Sequence, residues 1–233
     1  PLCYSSNEGF IDLEVTGGCG DYVYSWTTIG GDLNGQDSQE DLTGLIAGTY
    51  IYQIVDDNGC LVEDTIIISQ NSQILSELEE SSSILSLACF GDDNGCIEID
   101  VTGGTGDYTY EWSNGETTED ICDLSGGVYN LIVTDSDDCV EVFSYTITEP
   151  SELLIELVEA SSSLGCFGDD DGSIEINVTG GTLDTWTDYQ YLWSNGETTA
   201  LITDLVPGLY SVVVTDENYC EETAEYTITE PTE

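Results

Sequence analysis

CFGDDNGCIEIDVTGGTGDYTYEWSNGETTEDICDLSGGVYNLIVTDSDDCVEVFSYTITEP, Cys89 to Pro150, recurs nearly residue for residue as CFGDDDGSIEINVTGGTLDTWTDYQYLWSNGETTALITDLVPGLYSVVVTDENYCEETAEYTITEP, Cys166 to Pro231. A looser copy opens the chain at Cys3, with a polar loop from Gly30 to Glu40 that the others lack. The order of parts is the same in all three. Unit starts at Cys3, Cys89 and Cys166 are too far apart for the rungs of a solenoid and suit a small sandwich domain.

Within each unit apolar residues alternate with polar ones, the mark of half-buried strands. Ile97, Ile99 and Val101 point inward while Glu98 and Asp100 face water; Ile174, Ile176, Val178 and Ile11, Leu13, Val15 repeat the pattern. The next strand sets Tyr108, Tyr110 and Trp112 on one face, matched by Tyr22, Tyr24, Trp26 and by Tyr189, Tyr191, Trp193. Two further strands follow, led by Tyr129, Leu131, Val133 and by Phe143, Tyr145, Ile147. Gly103-Gly104, Asn114-Gly115 and Gly126-Gly127 are the expected turns, since Gly and Asn tolerate the positive φ at which such strands reverse. The fold class expected is all-β: tandem immunoglobulin-like β-sandwich repeats in an elongated array, divided at 1–72, 73–150 and 151–233. The segments from Ile74 and Leu153 read as the first strand of each later unit rather than as short helices, which leaves the first unit without its own first strand.

Composition bounds what such an array can do. The 233 residues include no Lys, Arg or His and 48 Asp plus Glu, for a formal net charge of -48. Counterion release from phosphates needs basic side chains, so nucleic acid and anionic lipid are excluded as direct partners. No stretch is apolar and long enough to span a membrane as a helix. No side-chain salt bridge can form, so the carboxylates repel one another until salt or bound cations offset them. The start at Pro1 reads as that of a mature or internal segment, with any export signal or anchor elsewhere.

Nine cysteines in a strand-rich chain point to an oxidising compartment. Each unit has one before its Ile-rich strand and one after its Tyr-led strand. The similar separations suggest one bridge per unit, Cys3–Cys60, Cys89–Cys139 and Cys166–Cys220, each stabilising by roughly 4 kcal/mol on the chain-entropy account. Cys96 and Cys122 occur only in the middle unit and suggest a private second bridge. Cys19 is left unpaired, as a buried thiol or as one that bonds another chain. Zinc ribbons need close thiol pairs or His, and neither is present.

Acidic Gly loops follow the first cysteine of each later unit, and Val-Thr-Asp precedes the second. If those cysteines bonded, the two loops would share one end of the sandwich and offer Ca²⁺ hard oxygen ligands from Asp92, Asp93, Asp135, Asp137 and from Asp169, Asp170, Asp171, Asp216. Turn capping is the competing role for the same residues. Trp186 lies in an insertion unique to the third unit and is the candidate ligand contact, whereas the other aromatics alternate as core residues do. Catalysis is not expected, because every acidic cluster is duplicated or lies on a strand's outer face, and no unique cleft-forming segment interrupts them.

The composite pattern runs Cys, acidic Gly loop, Gly-x-Ile-x-Ile-x-Val-Thr-Gly-Gly, Tyr-x-Tyr-x-Trp-Ser-Asn-Gly, Leu-x-x-Gly-x-Tyr, Val-Thr-Asp, Cys, Thr-Ile-Thr-Glu-Pro. It closely resembles the SprB repeat, found in very large Bacteroidota surface adhesins, including those moved during gliding motility. The resemblance covers Cys89–Pro150 and Cys166–Pro231 nearly end to end, and Cys3 to about Gln70 more loosely. It implies an exported, cell-surface module carried by the type IX system, whose partners are other repeats of a long chain. Asp64-Thr65-Ile66 fits the O-glycosylation pattern of that phylum, which marks Thr65. The expected function is an acidic, disulfide-stapled stalk or adhesive fibre of a surface adhesin. The alternatives are a self-assembling filament subunit, or a spacer or carbohydrate-binding module of a secreted enzyme.

Overall fold

The structure, a computed structural model, describes residues 3–160, 168, 170–183 and 188–231. All regular elements among them are strands: β1 (Gly9–Ile11), β2 (Tyr22–Ile29), β3 (Leu42–Leu45), β4 (Gly48–Asp56) and β5 (Leu61–Ile68) in the first repeat. The middle repeat supplies β6 (Leu75–Leu78), β7 (Gly95–Ile97), β8 (Ile99–Thr102), β9 (Thr109–Trp112), β10 (Ile121–Leu124), β11 (Gly127–Thr134) and β12 (Val140–Ile147). The third supplies β13 (Ser151–Ala160), β14 (Gly172–Gly181), β15 (Gln190–Trp193), β16 (Leu201–Leu205), β17 (Gly208–Thr215) and β18 (Glu221–Ile228). The segments from Ile74 and Leu153 are therefore strands, because one face of each is apolar and has a sheet to cover.

One antiparallel three-stranded sheet occurs in three copies, β2-β4-β5, β9-β11-β12 and β15-β17-β18. The other sheets among the described residues are β13-β14-β16 in the third repeat, β6-β8 and β7-β10 in the middle one, and β1-β3 in the first. The chain divides into two compact units, Pro1–Leu78 with Ile99–Glu119 and Asn130–Ser144, and Glu79–Glu98 with Asp120–Tyr129 and Tyr145–Glu233.

The second unit contains a full immunoglobulin-like sandwich. Leu153 from β13, Ile174, Ile176 and Val178 from β14, and Ile202 and Leu205 from β16 form one inner face. Trp193, Tyr210, Val212, Val214 and Ile228 from the opposing sheet complete the core, and Trp193, Val212 and Val214 are at most 2% exposed. The alternation read from sequence puts these side chains there, since successive residues of a strand face opposite sides. The first unit builds a smaller core on Ile11, Trp26, Leu42, Leu45 and Tyr50. Leu13 and Val15, though in phase with Ile11, are only half-buried, because β1 stops at Ile11 where β14 continues to Gly181.

Polar motifs serve this packing by satisfying the groups that burial would strand. The Trp indole N–H donates to Gln39 O (2.8 Å), Thr118 O (2.9 Å) and Thr199 O (2.9 Å) in the three repeats. The Gly30–Glu40 loop of the first repeat thus ends by supplying the carbonyl that the shorter turn gives elsewhere. In Leu-x-x-Gly-x-Tyr the tyrosine hydroxyl reaches back to the carbonyl four residues earlier: Tyr50 to Ile46, Tyr129 to Ser125 and Tyr210 to Val206, each 2.9 Å.

Candidate functional site

The corner after the Tyr-led strand is built the same way in every repeat, around one aspartate. Asp56 ends Ile-Val-Asp, Asp135 and Asp216 end Val-Thr-Asp, and the three are the buried charged residues among those described, at 8%, 4% and 1% exposure. Each carboxylate accepts the N–H of the closing cysteine: Asp56 from Cys60 (2.8 Å), Asp135 from Cys139 (2.9 Å) and Asp216 from Cys220 (2.9 Å). Each also accepts an N–H from the loop after Val-Thr-Gly-Gly or its counterpart: Cys19 (3.1 Å), Thr105 (2.9 Å) and Thr182 (2.7 Å). Asn58 and Asp137 add a further backbone donor to Asp56 and Asp135, at 2.9 Å each. A chain without cations solves its buried charges with backbone dipoles, which stabilise the ionised form.

The N–H of Cys60 does most to hold the Asp56 carboxyl below the usual range, against the opposing cost of burial, and Cys19 and Asn58 reinforce it. A depressed pKa means the contribution is complete above the ordinary carboxylate pKa and is lost as pH falls through the folded value. Asp56→Asn should therefore destabilise the first unit fully at neutral pH, and the difference from wild type should shrink with acidification below about pH 4. Paired thermal melts across that range cancel the titration of the other acids, and a pH-independent difference would refute the assignment.

The loops that follow the opening cysteines are held to the end of the last strand of each repeat. Gly91 N–H donates to the Glu149 carboxylate (2.9 Å) and Gly168 N–H to that of Glu230 (2.9 Å), while Ser5 N–H donates to Gln70 Oε1 (2.9 Å). The acidic loop is thus anchored to the Thr-Glu-Pro end or its counterpart. In the first repeat, Cys3 precedes β1 while Cys60 lies beside the loop that follows Val15. The three residues of β1, at about 3.3 Å each, already span more than the 4.4–6.8 Å a disulfide bridges between Cα atoms.

The bridges accordingly correct the pairing expected from spacing. Cys3 bonds Cys139, not Cys60, with Cα atoms 5.3 Å apart, and Cys89 bonds Cys220, not Cys139, at 5.6 Å. The opening cysteine of one repeat is joined to the closing cysteine of the next. Cys96 and Cys122, directly opposite in the β7–β10 ladder, bond each other. Cys60, expected in a bridge, is free and exposed, as is Cys19. Cys166 lies outside the described residues, and with it the remaining expected pair, Cys166–Cys220, is lost because Cys220 is bonded to Cys89.

The same geometry undoes the sulfur link that was to join both acidic loops of one repeat. Asp92 accepts the N–H of Cys89 (2.9 Å), Asp137 accepts the Asn71 amide (2.9 Å), and Asp93, Asp170 and Asp171 are exposed. Asp135 and Asp216 serve the closing corners. Among the described residues no three of these carboxylates converge; the one convergent set is Cys96, Glu98 and Cys122, whose sulfurs are bonded to each other. Asp169 and Trp186 lie outside the described residues. Thr65 is exposed on β5, with its N–H donated to Asp64 (2.7 Å). The one clue to the true pairing was strand length, since the separations of 136 and 131 are as regular as those within one repeat.

Similar solved structures include the N-terminal eight Ig domains of Down Syndrome Cell Adhesion Molecule, 12% identical, covering 100% of this chain and 35% of that one at a TM-score of 0.39. They also include fibronectin(III)-like modules of Clostridium thermocellum CbhA, 13% identical, covering 67% and 95% at a TM-score of 0.25. The chain thus spans about a third of the length of the first of these. No curated protein matches it. The SprB repeat is an extracellular cell-surface module, and bonded cysteines suit that setting. Its family model matches residues 81–117, which hold the opening cysteine, β7, β8 and β9 of the middle repeat, and residues 158–198, which hold β14 and β15 of the third. Over residues 81–117 and 158–198 the chain is thus similar to the SprB repeat.

Proposed function

We propose that the chain is a segment of an acidic, disulfide-stapled stalk in a large secreted surface adhesin of a Bacteroidota-type bacterium, with mechanical and not catalytic duty. The observation that carries this reading is the pair of bridges, Cys3–Cys139 and Cys89–Cys220, each tying the opening of one repeat to the closing corner of the next. A bridge inside one repeat protects that repeat alone. A bridge from one repeat to the next keeps a tandem chain continuous when a sandwich opens, which is what a loaded stalk needs. The buried aspartates support the non-catalytic role, because their oxygens already accept backbone N–H groups.

The uniform negative charge keeps neighbouring stalks apart through repulsion over a Debye length of about 8 Å at physiological salt. Other repeats of the same long chain are the partners this reading supplies.

The test is exposure on intact producing cells. Trypsin has no site in this segment, so glutamyl endopeptidase is the probe. The expected result is release of this segment from unbroken cells after reduction, and retention of larger bridged pieces without reductant. Full protection on intact cells, with cleavage only after lysis, would overturn the reading.

A further inference from the structure

Among the described residues, the closing corner of the first repeat is lined differently from the other two. At Cys220 the corner is lined by Cys89 and Phe90 from the opening of the middle repeat and by Ser151, Glu152 and Leu153 leading β13. At Cys139 the same places are taken by Cys3, Tyr4, Ser72 and Ile74. Ile74 and Leu153 are buried, at 2% and 7% exposure. A Cβ at Gly103 would strike the carbonyl of Gln73, and one at Gly180 the carbonyl of Glu152, whereas none of the described residues lies within 4 Å of the equivalent position on Gly17.

Cys60 instead opens onto a cavity of about 360 Å³ whose apolar wall includes Leu13, Val15, Tyr52, Ile54 and Val62. Its thiol is exposed. Asn58, beside it, corresponds to Asn218, whose amide donates to the carbonyl of Ala88 (3.0 Å), the residue just before the incoming Cys89. The first corner therefore keeps the same acceptor parts, a thiol, an apolar wall and an amide donor, and no segment among the described residues meets them.

We infer that the Cys60 corner is a covalent acceptor for the opening segment of a further SprB repeat, a small residue followed by Cys-aromatic-Gly. This rests on the tandem-stalk reading and names the contact that extends it. The incoming cysteine bonds Cys60, and Asn58 takes the carbonyl before it. Joining two thiols releases two electrons and two protons to a disulfide oxidant, which leaves as a dithiol. Where the incoming cysteine is already a mixed disulfide, the Cys60 thiolate attacks its sulfur and the other thiolate departs, with no net redox change.

The experiment uses the whole chain and a synthetic peptide of sequence SLACFGDD, residues 86–93, with its cysteine as a 2-pyridyl disulfide. Pyridine-2-thione release is followed, and the attachment site is mapped by glutamyl endopeptidase digestion and mass spectrometry. The expected result is attachment at Cys60 about tenfold faster than with a scrambled peptide of the same composition, the rate advantage of one modest set of placed contacts. Cys60→Ser should abolish that attachment, Asn58→Ala should slow it toward the scrambled rate, and Cys19→Ser should leave it unchanged. Equal rates for both peptides, attachment at Cys19, or a preparation in which Cys19 and Cys60 are bonded to each other would each overturn the inference. None of these would touch the cell-exposure result, so the two readings fail separately.

Discussion

Pulled between Cys3 and Cys220, the oxidised chain is expected to stop lengthening at about 100 Å and the reduced chain at about 750 Å, at ~3.5 Å per extended residue. Cys3 is tied to Cys139 and Cys220 to Cys89, so load enters the middle repeat at both of its outer cysteines. The Cys96–Cys122 bond shortens the path again. Only Cys122 to Cys139 and Cys89 to Cys96 then remain to be drawn out. Pairing within each repeat would instead leave the stretches Cys60–Cys89 and Cys139–Cys166 free, and the limit would be about 200 Å by the same arithmetic. Single-molecule force spectroscopy with and without reductant separates these values, and a plateau near the larger oxidised limit would refute the bridging found here.

Removing one long bridge should cost more than any ordinary surface change. The Cys3→Ser/Cys139→Ser pair opens a closure of 136 residues, worth about 5 kcal/mol in the chain-entropy account of the denatured state. A domain's whole stability is only about 5–15 kcal/mol, so the unit carrying this bridge should melt tens of degrees lower, or fail to fold at growth temperature. Self-repulsion sharpens the effect, since a charge of -48 without internal ion pairs leaves less reserve. Denaturant unfolding of the double variant measures the loss. A change below about 1 kcal/mol would mean that the oxidised denatured chain gains nothing from the constraint.

Local chemistry was legible without coordinates wherever the controlling distance was one or two residues. Ile174, Ile176 and Val178 could be assigned to the core because strand side chains alternate whatever the strand packs against, and the structure buries all three. The same logic placed Trp112 and Trp193. It held less fully for Leu13 and Val15, whose phase is right but which lie beyond the end of β1 at Ile11 and are only half-buried.

The closing corners were only partly legible. Asp135 and Asp216 stood out as acidic residues beside a cysteine, and a shared metal was one reading of them. Their use as acceptors for two backbone segments depends on the loop after Val-Thr-Gly-Gly or its counterpart folding against the corner, a contact some thirty residues distant in sequence.

The amino-acid order by itself determined the threefold period, the strands, their inward faces and the lack of side-chain ion pairs, since each follows from neighbouring side chains or from composition. Tertiary structure alone decided which opening and closing cysteines meet. A cysteine's partner depends on which end of a strand it occupies, and a strand of eight or so residues holds its two ends about 25 Å apart. Regular spacing is blind to that separation. It fits a bridge within one repeat and a bridge to the next equally well, and only the packed sheets choose the second.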